Sequence, residues 1–168
     1  MADSSGIASF QFLSYKIDTV NIQVTKNIGT LSMYSILPSN QMNFEVGFRK
    51  AGKYLINGVV HYMGGLNIKI QIFDNNKIKI LSGDFGIAGL FRPVGDTDRN
   101  FEENMVHINI PAILLPYLRS AITTILSQAG FGTVVLPLIN VYEIARKNPV
   151  EILDYTDSPV LGPRPDKG

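Results

Sequence analysis

The chain has no cysteine, and its 168 residues include only two histidines. Without thiols there is no disulfide, no cysteine nucleophile and no thiolate metal site, which suits a reducing cytosol. Charge is scarce as well. Asp, Glu, Lys and Arg make up 17% of the residues, against about 25% in typical soluble domains. The formal net charge is +1 and the basic residues form no block, which argues against nucleic-acid binding through phosphate neutralisation. A one-domain chain this poor in charge has apolar area that an assembly or partners must cover.

Long unbroken apolar runs are missing too. The most apolar stretch, residues 110–131, carries a single charge at Arg119, but Pro111 and Pro116 interrupt it. Ser120, Thr123, Thr124, Ser127 and Gln128 add polar positions. A membrane span needs roughly 20 residues nearly free of such breaks, so none is expected here. The opening "MADSSGIASFQF" has no basic start leading into an apolar core and is not read as a signal peptide.

The first two-thirds of the chain reads as strands. Residues 10–24 are rich in β-branched and aromatic types, and "VNIQV" alternates apolar with polar. Met42, Phe44, Val46 and Phe48 share one face of "QMNFEVGFRK". "KYLINGVVHYM" is a third, less regular run weakened by Gly58. The clearest pattern is "LNIKIQIFDNNKIKIL", in which Ile68, Ile70 and Ile72, then Ile78 and Ile80, alternate with polar residues around Asp74-Asn75-Asn76. It predicts an antiparallel hairpin with one greasy and one wet face.

Beyond Gly89 the period changes. Asp98 is placed to cap a short turn through "FEENMV". From Pro111 a helix is expected, with Leu114, Leu118, Ala121, Ile122, Ile125 and Ala129 on one face and Ser120, Thr123, Thr124 and Ser127 on another. Pro116 should bend or restart it, and Gly130 and Gly132 should end it. "FGTVVLPL" follows as an extended apolar connector, then "INVYEIARKN" as a second helix stopped by Pro149. Strands followed by helices predict an α+β domain with helices on one face of an antiparallel sheet. The domain is expected over residues 10–149, between a flexible N-terminus at 1–9 and a Pro/Gly-rich tail at 150–168.

Residues that would carry catalysis are few. His61 and His107 lie on separate elements without metal-type spacing. Asp96, Asp98, Glu102 and Glu103 sit in a polar loop and helix start and define no acid/base pair. Glycines 83, 86 and 89 match neither a dinucleotide fingerprint nor a Lys-Ser/Thr phosphate loop, and there is no Gly-x-Ser-x-Gly elbow. No metal, cofactor or nucleotide is expected. The unusual feature is the connector, which has too much Val, Leu and Phe for a solvated loop. An extended apolar segment beside a sheet either packs down as core or forms a groove for unfolded chains, binding by burial at roughly 25 cal/mol per Å².

Within residues 110–144, Pro111, the Ile113-Leu114 pair and Pro116-Tyr117-x-Arg119 precede a helix of small and aliphatic residues. Gly130-Phe131 and the apolar Leu136-Pro137-Leu138 follow. This order resembles the helix–crossover–helix signature of the SecB export-chaperone family, and "DFGIAGLF" resembles the end of that family's last strand. The resemblance runs from about Phe10 to Ala145. It implies a four-stranded antiparallel sheet with two helices on one face. The insertion Ala51–Gly65 would be an additional strand or a lengthened one. It also implies a cytoplasmic homotetramer, a dimer of dimers, with Ser120, Thr123, Thr124 and Ser127 at the subunit interface. The activity implied is an ATP-independent holdase for non-native polypeptides. Phe131, Val134, Leu136, Leu138 and Tyr142 would form the client groove, helped by Phe44 and Val46.

One departure bears on partners. Export members are strongly acidic and engage the SecA motor through acidic residues of the sheet. Here the chain is nearly neutral, with Thr19 and Gln23 at the first-strand positions and Asp18 one residue away. That leaves SecA docking in doubt and makes an antitoxin of a toxin–antitoxin module a rival client. Two other classes are distinguishable: a small-ligand carrier would enclose a sealed cavity, and an enzyme would gather a polar cluster near His61 or Glu102.

Overall fold

The computed structural model describes residues 9–25, 42–74, 76–95 and 97–158. Among them, six strands form one sheet. These are β1 (Phe10–Val24), β2 (Met42–Phe48), β3 (Ala51–Ile56), β4 (Val59–Phe73), β5 (Lys79–Pro93) and β6 (Ile152–Asp154). The order is β1-β5-β4-β3-β6, with β2 also paired to β4. All pairings are antiparallel except that of β6 with β3.

The long hairpin β4–β5 is the one the alternating isoleucines predict. Ile68, Ile70, Ile72 and Ile80 are buried, while Lys69 and Gln71 are exposed; Ile78, expected on the buried face, sits beside the turn and is 57% exposed. At its turn the Asp74 carboxylate accepts from the N–H groups of Asn76 and Ile78 at 2.9 and 2.8 Å. Asn75 lies outside the described residues.

The segment Ala51–Gly65 turns out to lengthen an existing column of the sheet. β2 pairs with β4 up to Phe48 opposite Leu66, and β3 resumes at Gly52 opposite Met63. Arg49 and Lys50 form a bulge between them, where the Arg49 N–H donates to the Gly65 carbonyl at 2.9 Å. Gly58, read from sequence as a weak point inside one run, is the corner of a hairpin. Asn57 and Gly58 have φ of 53° and 76°, and two successive positive φ values are what a type I′ turn requires.

The helical layer also starts earlier than the apolar period suggests. Asp98 caps α1 (Arg99–Asn104) by accepting from Phe101 N–H at 2.6 Å. A wider π-type segment, Met105–Asn109, leads directly into α2 (Ile110–Leu126). The wide turn removes the clash that Pro111 would otherwise impose on the preceding carbonyls, so this proline does not begin the helix. Pro116 does not break it either. Helical structure runs continuously through Arg99–Phe131, 33 residues, and ends where Gly130 adopts φ 90°. The stretch is long and apolar enough to cross a membrane by length alone, but Ile110, Leu114, Leu118, Ile122 and Leu126 pack as core. They lie over Leu66, Ile68, Phe85, Ile87 and Phe91 of the sheet, all fully buried. Gly64 and Gly89 face each other across β4 and β5. A Cβ on either would sit 2.8 Å from Ile110 or 2.7 Å from Leu114, so these glycines let the helix approach closely.

The opposite sheet face is polar, with Thr19, Asn21 and Gln23 beside Ser82, Asp84, Asn67, Lys69 and Gln71. Arg49 spans it. From the bulge its guanidinium donates to Asn67 Oδ1 at 2.5 Å and to both Asp18 carboxylate oxygens at 2.5 and 2.7 Å.

The chain beyond Pro149 begins as part of the domain rather than as a tail. Val150 is buried. β6 is held to β3 by the Ala51 N–H donating to the Glu151 carbonyl at 2.9 Å and the Tyr155 N–H donating to the Lys53 carbonyl at 2.8 Å. Tyr54 stacks on Tyr155 at 5.1 Å. Residues 1–8 and 159–168, the remainder of the two expected termini, lie outside the described residues.

Candidate polypeptide-binding groove

From Gly132 to Asn140 the chain has no regular secondary structure, as expected for the connector, and it enters α3 (Val141–Lys147) through Asn140, whose side chain caps Glu143 N–H. Its backbone is tied down by α2. The Thr123 hydroxyl donates to the Val134 carbonyl at 3.2 Å, and Arg119 Nη2 donates to the Leu136 carbonyl at 2.7 Å. Arg119 and Thr123 are one helical turn apart, and the carbonyls they hold are two residues apart. That matches the repeat of an extended chain and sets the phase of the connector.

That phase holds as far as Leu136: Val134 and Leu136 are each only 3% exposed and Val135 between them is 68% exposed. Beyond Pro137 the chain leaves it, and Leu138, which would otherwise share the buried side, is 91% exposed. Tyr142, on the first turn of α3, is 67% exposed. Of the residues expected to form a groove, Leu138 and Tyr142 present themselves to solvent. Phe131 is half-buried, and Val134 and Leu136 are part of the buried core. Phe44 and Val46 lie on β2 opposite Ile70 and Ile68, half-buried at the margin of the same core.

An open groove of about 620 Å³ runs between α2 and the start of α3. Ala112, Leu115, Pro116 and Arg119 form one wall; Ile139, Val141 and Tyr142 form the other. A second cleft of about 490 Å³ lies beside Glu103, His107, Ile108 and Ala145, with Tyr142 as the ridge between the two. Ala112, Leu115 and Pro116 were not anticipated. Their signal was an apolar alanine and proline on the helix face away from the core stripe.

The residues expected at a subunit interface sort similarly. Ser120, Thr124 and Ser127 are exposed on α2, while Thr123 is half-buried and already bonded to the connector.

Polar chemistry collects elsewhere. Glu102 accepts from Tyr62 Oη at 2.6 Å and from Lys53 Nζ at 2.8 Å, tying α1 to the sheet beside a cleft of about 560 Å³. Burial, then the hydrogen bond and charge of Glu102, push the Tyr62 phenol well above its ordinary value. Burial raises Glu102, but its bonds from Lys53 and Tyr62 outweigh that and hold it below its usual range. His61 is buried with Nδ1 2.9 Å from the Val59 carbonyl, and no His, Asp and Glu cluster of metal-binding geometry occurs among the described residues.

Comparison with known families matches residues 31–148, well over half the chain, to the family described as Preprotein translocase subunit SecB. No curated protein sequence matches. Among solved structures, the chain is similar to the Mycobacterium tuberculosis SecB-like chaperone Rv1957, captured with a ChAD peptide from the Rv1956 HigA1 antitoxin. The TM-score is 0.56 at 11% identity, over 79% of this chain and 91% of that one. A protein of unknown function from Streptococcus agalactiae aligns with a TM-score of 0.41 at 13% identity, over 77% and 97% of the two chains. The α+β sheet with helices on one face, the crossover connector and the matched family profile agree, and this chain belongs to the SecB family of non-enzymatic chaperones.

Proposed function

We propose that the protein is an ATP-independent holdase that binds extended apolar segments of non-native polypeptides along the α2–α3 groove. The observation that carries this is the outward display of Leu138 and Tyr142 above a groove walled by Leu115, Pro116 and Ile139. The groove is open rather than sealed, which suits a polypeptide better than an enclosed small ligand. Burial of side chains there needs little sequence specificity.

Two observations favour an antitoxin-type client over an export shuttle working with SecA. Asp18, the acid nearest the first-strand positions of interest, is engaged by Arg49 on both oxygens. The net charge of +1 leaves no strongly acidic field of the kind export members use in engaging SecA. Self-assembly in the cytoplasm into a dimer of dimers completes the reading. Its support is the row Ser120, Thr124 and Ser127 together with Val20 and Val24, 52% and 46% exposed on the edge strand β1.

The test is suppression of aggregation of a chemically unfolded substrate without nucleotide, comparing wild type with Leu138→Asp/Tyr142→Asp. Both side chains are exposed, so the variant should keep its fold. Protection by wild type and its loss in the variant support the groove. Failure of wild type to protect at several-fold excess removes the proposal.

A further inference from the structure

Of the described residues walling the α2–α3 groove, only Arg119 is charged, and no carboxylate is among them. Its bond to the Leu136 carbonyl uses one of the five N–H groups that a guanidinium carries. Among the described residues no ion pair reaches it. No nitrogen of this half-buried side chain is both sealed and unpartnered; among the described residues the one such side-chain atom is Asp84 Oδ1, on the other face of the sheet. The remaining donors of Arg119 are therefore open to solvent, and the side chain lines the groove. The nearest acidic residues of this region, Glu103 and Glu143, line the neighbouring cleft beyond Tyr142.

A bound apolar segment would cover Arg119, and covering a lone charge is unfavourable unless a partner replaces its water. A carboxylate does so best. It matches the planar fork, and the surrounding apolar surface strengthens the charge-assisted bonds. We propose, resting on the holdase reading above, that the groove selects extended apolar segments with an acidic side chain seated on Arg119, and rejects those with a basic side chain there.

The test is fluorescence anisotropy of the full chain with a labelled apolar peptide bearing one central Glu. Its comparators are Gln and Lys twins and a twin with the Glu moved to one end. Wild type should bind the central-Glu peptide about tenfold tighter than its Gln twin, with the Lys twin weakest and the end-Glu twin near Gln. Arg119→Gln, shown to keep native melting and mass, should level Glu with Gln, and Arg119→Lys should keep a reduced preference. Equal binding of the central-Glu and Gln peptides by wild type overturns the acidic seat while leaving the groove intact. An end-Glu twin as tight as the central one also overturns it, as mere charge attraction. If no peptide binds, the groove reading itself fails.

Discussion

Arg49 shows how much one side chain can organise. Released by the bulge between β2 and β3, it crosses Asn67 of β4 and reaches Asp18 of β1, passing over Gly86 of β5. A Cβ at Gly86 would lie 1.9 Å from Arg49 Nη2, so Gly86→Ala should break the strap and cost about 1–3 kcal/mol by overpacking. A denaturant midpoint equal to that of wild type would contradict this. The hydrogen bonds from Arg49 hold the Asp18 carboxyl below its ordinary value of 3.8. A carboxyl depressed by folding adds stability that is complete above its unfolded value and disappears as pH falls through the folded one. Asp18→Asn should therefore cost roughly 1 kcal/mol at pH 7, a modest figure because the pair is partly solvated. The gap should hold down to about pH 4 and close below it. Urea unfolding of both proteins across that range checks it, and a gap independent of pH down to the acid limit would show that the pair contributes no linkage.

For the elements, the connector is where packing and function divide. Arg119 and Thr123 hold the connector down as far as Leu136, and past Pro137 it departs from that phase, so Leu136 is buried and Leu138 is exposed. Leu136→Ala should cost roughly 2–5 kcal/mol, as large-to-small core changes do, and lower the melting temperature. Leu138→Ser, at a 91% exposed site, should leave melting within the scatter of surface substitutions, about 0.5 kcal/mol, while weakening client protection. Equal melting of the two variants would mean that the connector does not hold this phase in solution. Sequence pattern could not make the distinction, because Val134, Val135, Leu136 and Leu138 are chemically alike. What sets Val134 and Leu136 apart from Val135 is two hydrogen bonds from a helix eleven to seventeen residues away, and Leu138 lies beyond their reach.

At the scale of the whole molecule, one helical layer covers only part of a sheet whose edge strand β1 is 15 residues long. Val20 and Val24 lie on the helix-side face of β1 opposite buried Phe85 and Leu81, yet stay half-exposed. These are the residues that the proposed self-assembly would cover. Thr124→Arg places a long cation in the small polar row of α2 and should lower the mass in sedimentation without shifting the far-ultraviolet spectrum. An unchanged mass would take α2 out of the interface.

Much of this was legible in the chain itself. Strict alternation in residues 67–80 set the central hairpin, because a period of two admits only one buried face. Asp98, Gly130 and Gly132 marked helix ends by local capping and backbone chemistry that needs no distant partner. The Asn57-Gly58 turn was equally legible, and Gly58 was instead weighed as a weakness within a strand. Other features depended on what lies far off in sequence. Pro111 sits inside a continuous helix only because a π-type turn precedes it. Residues 152–154 pair with β3 only because the edge of Ala51–Lys53 is there to receive them. The sequence by itself determined the elements and their apolar faces, since periodicity and caps act over a few residues. Only the tertiary structure decided which apolar side chains become core and which stay exposed, since that depends on what the folded chain brings alongside.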